Sequence, residues 1–259
     1  MARKETIILI SMPILYILWL RQVKKYLRSR ARIVGSLGQP LLFLVALGFG
    51  FGPIYAKAGG GNYLQFLAPG VIAMGILFTA VFSGIEIIWD KQFGFLKETL
   101  VAPVSRFRIM VGRTLGGATV AVLQGLIVFV LTLIVGFRPE SFSLVLVAFV
   151  FMFLTALLFT ALGTAIASKL DDMQGFQLIM NFLVMPIFFL SGSLFPIDQL
   201  PSVLKFIVRI NPLAYSIDGL RGALTLQNHF SLWTDFSILA GVTLVLMMVG
   251  AYLFSKIEA

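Results

Sequence analysis

AGGGNYLQFLAPGVIAMGILFTAVFSGI, residues 58–85, is a run of 28 residues without a charged side chain. A helix needs about 20 apolar residues to cross a membrane, because the hydrocarbon core is about 30 Å thick and each residue adds about 1.5 Å. This run is long enough, and a segment rich in charged residues begins shortly after it. It therefore predicts a transmembrane helix that ends at a membrane surface.

Five further uncharged runs have the length of a span: residues 33–56, 114–137, 141–168, 173–197 and 236–255. The strands of a membrane β-barrel alternate polar and apolar residues, and these runs do not. We therefore expect an all-α integral membrane protein with six transmembrane helices. Residues 1–32 form an N-terminal cytoplasmic or interfacial segment, and residues 33–256 a single transmembrane domain with spans at about 33–56, 62–88, 109–137, 141–168, 174–196 and 234–255.

The composition limits both the class of protein and its chemistry. Hydrophobic residues make up 59% of the chain, charged residues 12%, and the mean hydropathy is +1.00. With no cysteine and one histidine, disulfides, thiol nucleophiles and Cys/His metal sites are not expected. The net charge of +9 resides on basic residues between apolar runs, which favours anionic lipid over nucleic acid as the partner.

The distribution of lysine and arginine predicts the orientation. If both termini are cytoplasmic, 15 of the 20 basic residues lie on the cytoplasmic side. Cytoplasmic loops carry an excess of lysine and arginine, so we expect a multi-pass protein of the cell membrane with both termini inside.

The N-terminal segment has two parts. Residues 6–20 are uncharged and could be a signal peptide, a seventh span or an interfacial helix. From Trp19 onward the helical pattern separates an aromatic face from a basic one, which predicts a helix along the cytoplasmic surface with its charges toward lipid headgroups or a protein partner. The residues of this helix that we single out are Trp19, Arg21, Lys24, Lys25 and Arg28.

Residues 196–235, in the last outer loop, are too short for a domain and too apolar for a free loop. We expect a short helix after Pro201 and a second one that starts after Asn211 and Pro212, contains Tyr215, and carries Asp218 and Arg221 at a spacing that allows an ion pair. These helices either seal the outside of the bundle or take part in substrate release.

Three polar residues in or near the spans are candidates for a function inside the membrane. Glu86 either forms a salt bridge with a cytoplasmic basic residue or acts as a gate linked to protons. Gln124 and Asn181 lie deeper, where hydrogen bonds between helices are commoner than contacts to substrate.

DKQFGFLKETLVAPVSRFR, residues 90–108, lies on the cytoplasmic side between the second and third spans. Read as a short helix, it places Phe93, Leu96 and Leu100 on one face. An apolar face with charged flanks is typical of a helix that docks into a groove of another protein. The alternative is a helix that packs on its own bundle.

The chain lacks the residues for chemistry of its own. It contains no G-x-x-x-x-G-K-[ST] loop for ATP, and no catalytic or metal-binding constellation, so we expect no enzyme activity and no bound cofactor. A transport protein that cannot hydrolyse ATP itself must take its energy from a source outside its own chain. An ion-coupled carrier that works alone is the alternative, and a scaffold or membrane-embedded enzyme is a third possibility.

Four segments together resemble the membrane subunit of an ABC exporter, in the ABC type-2 permease family. They are FLAPGVIAMGILFTAVFSG (66–84), DKQFGFLKETLVAPVSR (90–106), MPIFFLSGSLFPIDQLP (185–201) and INPLAYSIDGLRGAL (210–224). The resemblance covers nearly the whole chain from about Trp19.

The resemblance implies a homodimer of six-span subunits, each bound to a separate ATPase subunit that holds ATP and Mg²⁺. It implies a connecting helix at residues 19–32, re-entrant helices in the outer loop, and a cytoplasmic coupling helix that transmits closure of the ATPase. The family exports drugs, lipids, polysaccharides and lipo-oligosaccharides, and uncharged spans favour an amphipathic or lipid-linked cargo. The coupling residues it implies are Phe93, Gly94, Phe95, Leu96, Lys97, Glu98, Leu100, Ala102 and Pro103.

Overall fold

A computed structural model describes residues 2–58, 61–101 and 104–257, with side chains except at 2–14, 97, 100, 101 and 199. The described residues are helical and contain no strand. The helices are α1 (Ala2–Arg28), α2 (Arg30–Lys57), α3 (Tyr63–Phe82), α4 (Ile85–Gln92), α5 (Phe95–Val101), α6 (Arg106–Val135), α7 (Val145–Ala167), α8 (Met173–Phe189), a 3-10 turn (Ile197–Gln199), α9 (Ser202–Ile210), α10 (Pro212–Thr225) and α11 (Leu232–Ser255).

Five helical segments in the described part of the chain are long and apolar enough to cross a membrane. They are α2, α6, α7, α11 and the 30-residue unit Tyr63–Gln92, in which α3 continues into α4. At the junction the amide of Ile87 donates to the carbonyl of Gly84, so the backbone stays hydrogen-bonded. Helix α8 is apolar but has 17 residues. The all-α membrane bundle is thus present, and the sixth span stays a prediction.

Helix α3 lies at the centre of the bundle. In its most apolar window 72% of the residues are buried, against 11% in α2 and 17% in α11. The α3–α4 unit and α7 approach each other closely at two glycines. A Cβ at Gly84, in the junction between α3 and α4, would lie 2.5 Å from the carbonyl oxygen of Gly163 on α7. Small residues let membrane helices approach backbone to backbone, and Gly84 fixes the point where the two helices touch.

Helix α1 packs lengthwise against α6, and the two helices run in the same direction. Leu15 contacts Gly112, Gln22 contacts Gly116, and the Tyr26 hydroxyl donates to Gln124 Oε1 at 2.6 Å. The predicted aromatic face of α1 therefore covers another helix of the same chain. Its position relative to the membrane surface stays a prediction.

The two ends of the bundle differ in charge. At one end, which we call the basic end, the C-termini of α4, α7 and α11 come together with the start of α6. At the other, which we call the far end, α9 and α10 follow α8. Asn211 connects them there: its Oδ1 accepts from the amide of Leu213 at the start of α10, and its Nδ2 donates to the carbonyl oxygens of Ile187 and Leu190.

Candidate functional site

The segment between α4 and α5 reverses the chain at the basic end. Phe93 ends α4, and Gly94 has a φ of +80°, a left-handed conformation in which a side chain would be strained. Helix α5 then starts at Phe95. The predicted single helix from Phe93 is therefore two helices separated by a glycine turn.

The turn separates the apolar residues that were expected on one face. Leu96 is buried, with 2% of its surface exposed, while Phe93 is 64% and Phe95 52% exposed. The predicted common face of Phe93 and Leu96 is thus wrong, because Gly94 interrupts the helical periodicity between them. Leu96 packs into the bundle, and the two phenylalanines form the exposed apolar surface, which we call the phenylalanine tip.

The other predicted coupling residues are described only in part. Glu98 lies in the first turn of α5 and is exposed. Lys97 and Leu100 belong to α5, but their side chains lie outside the described residues, as do Ala102 and Pro103 entirely.

Asp90, near the end of α4, is buried and forms salt bridges with two arginines. Its Oδ1 accepts from Arg21 Nη2 on α1 at 2.8 Å, and its Oδ2 from Arg113 Nη2 on α6 at 2.5 Å. Asp90 is 6% and Arg113 4% exposed. A charge in such a place requires a partner, so Asp90 holds α1 and α6 to the helix that leads into the phenylalanine tip.

Glu86, one turn earlier on α4, has two partners as well. Its Oε1 lies 3.0 Å from Arg32 Nη1 on α2 and 3.5 Å from Lys25 Nζ on α1. The structure thus gives Glu86 the salt bridges of the first alternative.

The other side of α4 is fixed to α7 and α8. Lys91 Nζ donates to the carbonyl oxygens of Ser168 and Leu170 at 3.1 Å each, and so caps the C-terminus of α7. Gln92 Nε2 donates to the carbonyl of Asp171 at 2.9 Å. Helix α4 is therefore bonded to α1, α2, α6 and the connection between α7 and α8.

The three polar candidates in the spans do not come together. Gln124 Oε1 accepts from the hydroxyls of Tyr26 and Ser36, which are the predicted hydrogen bonds between helices. Asn181 lies on the exposed surface of α8. Glu86 belongs to the salt bridges at the basic end.

At the far end, Asp218 and Arg221 have other partners than the ion pair that their spacing predicts. Asp218 accepts from the backbone amides of His229 and Phe230 and so holds the loop after α10. Arg221 donates to the carbonyl of Gly192 at 3.1 Å and covers the ring of Phe66 at 4.1 Å. Burial lowers the pKa of Arg221 to about 10, against the opposing effect of Asp218, so the guanidinium is charged at neutral pH.

Tyr215 and Pro212 complete the predicted outer residues. Pro212 is the first residue of α10, and the hydroxyl of Tyr215 donates to the carbonyl of Arg209 at 2.6 Å. These contacts fix α9 against α10.

The ion pairs of Asp90 with Arg21 and Arg113 were not predicted, and the sequence carries a signal for only the first of them. Glu86 and Asp90 are four residues apart on α4, and Arg21 and Lys25 are four apart on α1. Residues four apart share a helix face, so two acidic residues facing two basic ones predict two parallel salt bridges between helices. Arg113 carries no such pattern, because its partner lies 23 residues away.

The charged side chains at the basic end connect several helices. Among the described residues, no cluster of three or more histidine, aspartate or glutamate side chains could hold a metal ion. Asp90 and Glu86 are each paired with two basic side chains from other helices. What they offer is a rigid connection from the phenylalanine tip to the spans.

Comparison with known proteins gives consistent matches. Residues 14–225 match the family described as ABC-2 type transporter. The chain is 30% identical to the putative transport permease ycf38 of Cyanophora paradoxa, over 94% of this chain and 88% of that protein. It is 33% identical to nodulation protein J of Rhizobium leguminosarum bv. trifolii, over 74% of this chain and 73% of that protein.

Proposed function

Because the chain belongs to the ABC-2 type transporter family, we propose that it is the permease subunit of an ATP-driven exporter. The sequence has no P-loop, so a separate ATPase subunit binds ATP and Mg²⁺ and hydrolyses the ATP. The cargo is an amphipathic, lipid-linked or drug-like molecule, which leaves the cytoplasm or the inner leaflet. Two copies of the chain, each with six spans, form a homodimer, with the basic end and both termini in the cytoplasm.

The observation that carries this proposal is the phenylalanine tip. Two large apolar side chains, Phe93 and Phe95, extend from a segment otherwise rich in charge. Their exposure in a loop between spans favours insertion into a groove on another protein. The ATPase subunit is the partner that the family requires.

The connections of α4 support a mechanical role for this contact. When the ATPase closes on the phenylalanine tip, the displacement passes to α4 through the short turn at Gly94. Asp90 then carries it to α1 and α6, and Lys91 carries it to α7. Access to the cargo path can change in this way without any chemistry in the permease.

The test replaces the two exposed phenylalanines and measures association with the ATPase. We expect the double variant Phe93→Glu/Phe95→Glu to be inserted and folded like the natural chain but to lose the ATPase subunit on purification in mild detergent. The matched control is Phe142→Glu, since Phe142 is 79% exposed but lies between α6 and α7, away from the basic end. A double variant that retains the ATPase and full ATP-driven export would contradict the proposal.

The ion-coupled carrier gains no support from the site, because Glu86 is paired with Arg32 and Lys25. It makes a different prediction for the same preparation. Export by the purified chain alone, driven by an ion gradient and abolished by Glu86→Gln, would establish the carrier instead.

A further inference from the structure

Two depressions adjoin each other where α1 ends. The first, which we call the basic basin, is open, has a volume of about 610 Å³ and is lined by Arg21, Lys24, Lys25, Arg28 and Ser29. The second, which we call the cleft, measures about 200 Å³ and lies between α2, α3 and the last turn of α1. Glu86 connects their walls, because its Oε1 contacts both Lys25, which lines the basin, and Arg32, which lines the cleft.

The basin has more positive charge than its carboxylates can neutralise. In the described part of the chain, the salt bridges of Asp90 and Glu86 use Arg21, Lys25, Arg32 and Arg113. Lys24 and Arg28 line the basin without a carboxylate partner there. Of the four basic side chains that line the basin, these two carry charges that no carboxylate there neutralises, which favours binding of an anion with more than one charge.

The cleft is suited to a different part of a ligand. The α3 wall holds Met74, Phe78 and Phe82 beside the polar Thr79, and the α2 wall holds Gly35 and Pro40 beside Arg32, Ser36 and Gln39. Both helices belong to candidate spans, so the cleft continues from the basin toward hydrocarbon. No atom lies within 4 Å of a Cβ built on Gly35, which leaves the cleft open to the outside of the subunit.

From this juxtaposition we propose that the basin and the cleft together bind a phosphate-bearing amphiphile of the cytoplasmic leaflet. The phosphate lies in the basic basin beside Lys24 and Arg28, and the apolar chain enters the cleft past Arg32. The inference rests on the proposed function, which places the basic end on the cytoplasmic side of the membrane. It narrows the proposed cargo to amphiphiles with an anionic head.

The apolar cleft distinguishes this ligand from an acidic protein segment. An acidic segment of a partner protein would be attracted by the basin, but its charged side chains would gain nothing from the part of the cleft formed by two phenylalanines and a methionine. An anionic lipid uses both, because each basic residue near the membrane surface attracts its head and the cleft shields its chain.

Trp89 gives a direct readout of the site. It is 45% exposed, and Lys25 Nζ lies 5.5 Å from the centre of its ring. The chain has three tryptophans, so Trp19→Phe and Trp233→Phe leave Trp89 as the only one. The full chain is placed in phosphatidylcholine nanodiscs, and quenching of Trp89 is measured with phosphatidylglycerol or phosphatidylcholine brominated on the acyl chains.

We expect brominated phosphatidylglycerol to associate more tightly than brominated phosphatidylcholine. Lys24→Gln/Arg28→Gln removes two charges outside the salt bridges and should lower this preference about tenfold or more, since each basic residue contributes roughly fivefold. The control Lys205→Gln/Arg209→Gln, on α9 at the far end, should retain it. Unchanged quenching by phosphatidylcholine in all variants shows that they are folded.

A second pair of variants tests the cleft. Gly35→Phe fills it and should remove the preference, while Gly50→Phe, on the same helix and also with no neighbour within 4 Å, should not. A preference that survives Gly35→Phe would overturn the proposal, because the basin would then bind only a head. Equal quenching by the two lipids in the natural chain would overturn it as well.

Soluble glycerol 3-phosphate distinguishes a lipid from a free phosphate. If it displaces the brominated lipid at equal concentration, the apolar chain adds nothing and the proposal fails. The assay contains neither ATP nor the ATPase subunit. Failure of the proposed function would therefore leave these results unchanged, and equal quenching in a working exporter would overturn this inference alone.

Discussion

Asp90 joins two helices at the basic end through its carboxylate. It is buried and neutralises one arginine on α1 and another on α6. Loss of its charge leaves Arg113, which is 4% exposed, without its partner. Breaking a buried ion pair from one side costs more than the pair itself contributes, because the remaining charge stays desolvated.

We therefore expect Asp90→Asn to lower the stability of the purified chain by about 3 kcal/mol and to reduce ATP-driven export. The matched control is Asp171→Asn, which removes the carboxylate that pairs with Lys91 at 3.1 Å but is 89% exposed, and should change stability by less than about 1 kcal/mol. Denaturation in detergent, followed by circular dichroism, measures both. Equal stability of the two variants would show that Asp90 has no structural role.

At the scale of helices, the sequence predicts where helices form better than it predicts which residues of a helix share a buried or an exposed face. Uncharged length alone predicts the apolar helices, because the bilayer demands it. The face of α5 could not be predicted from the same rules. Periodicity assumes a continuous helix, and Gly94 breaks it between Phe93 and Leu96.

The packing of α1 on α6 provides an element-scale prediction. A Cβ at Gly116 would lie 2.7 Å from Gln22 Cγ, so Gly116→Leu should push α1 away and lower stability by about 1 to 3 kcal/mol. The control Gly241→Leu also replaces a helical glycine but has no neighbour within 4 Å, so it gains helix propensity without a clash. Unfolding in detergent compares them, and equal midpoints would contradict the close contact.

For the whole molecule, the sequence predicts orientation and the structure supplies the sites that test it. The count of basic residues depends on loops, which are visible in the sequence. Which residues meet across 60 or more positions depends on tertiary packing, as for Arg21 and Asp90, which are 69 residues apart. Sequence rules for one helix at a time cannot supply such pairs.

Single cysteines can establish the orientation, because the natural chain has none. We expect Gln227→Cys, exposed at the far end, to react with an impermeant maleimide in intact cells. Ser255→Cys, exposed at the basic end, should react only after the membrane is opened. The reverse pattern would place the phenylalanine tip outside, where no ATPase could reach it.

The contact between Gly84 and Gly163 gives α3 and α4 the form of a lever with a fulcrum. The arm toward the ATPase is α4, with 8 residues and about 12 Å, and the arm through the membrane is α3, with 20 residues and about 30 Å. A shift of about 1 Å at α5 would then become roughly 2.5 Å at Tyr63, by the ratio of helix lengths. In the proposed exporter, a small displacement at the basic end would thus be amplified at the far end.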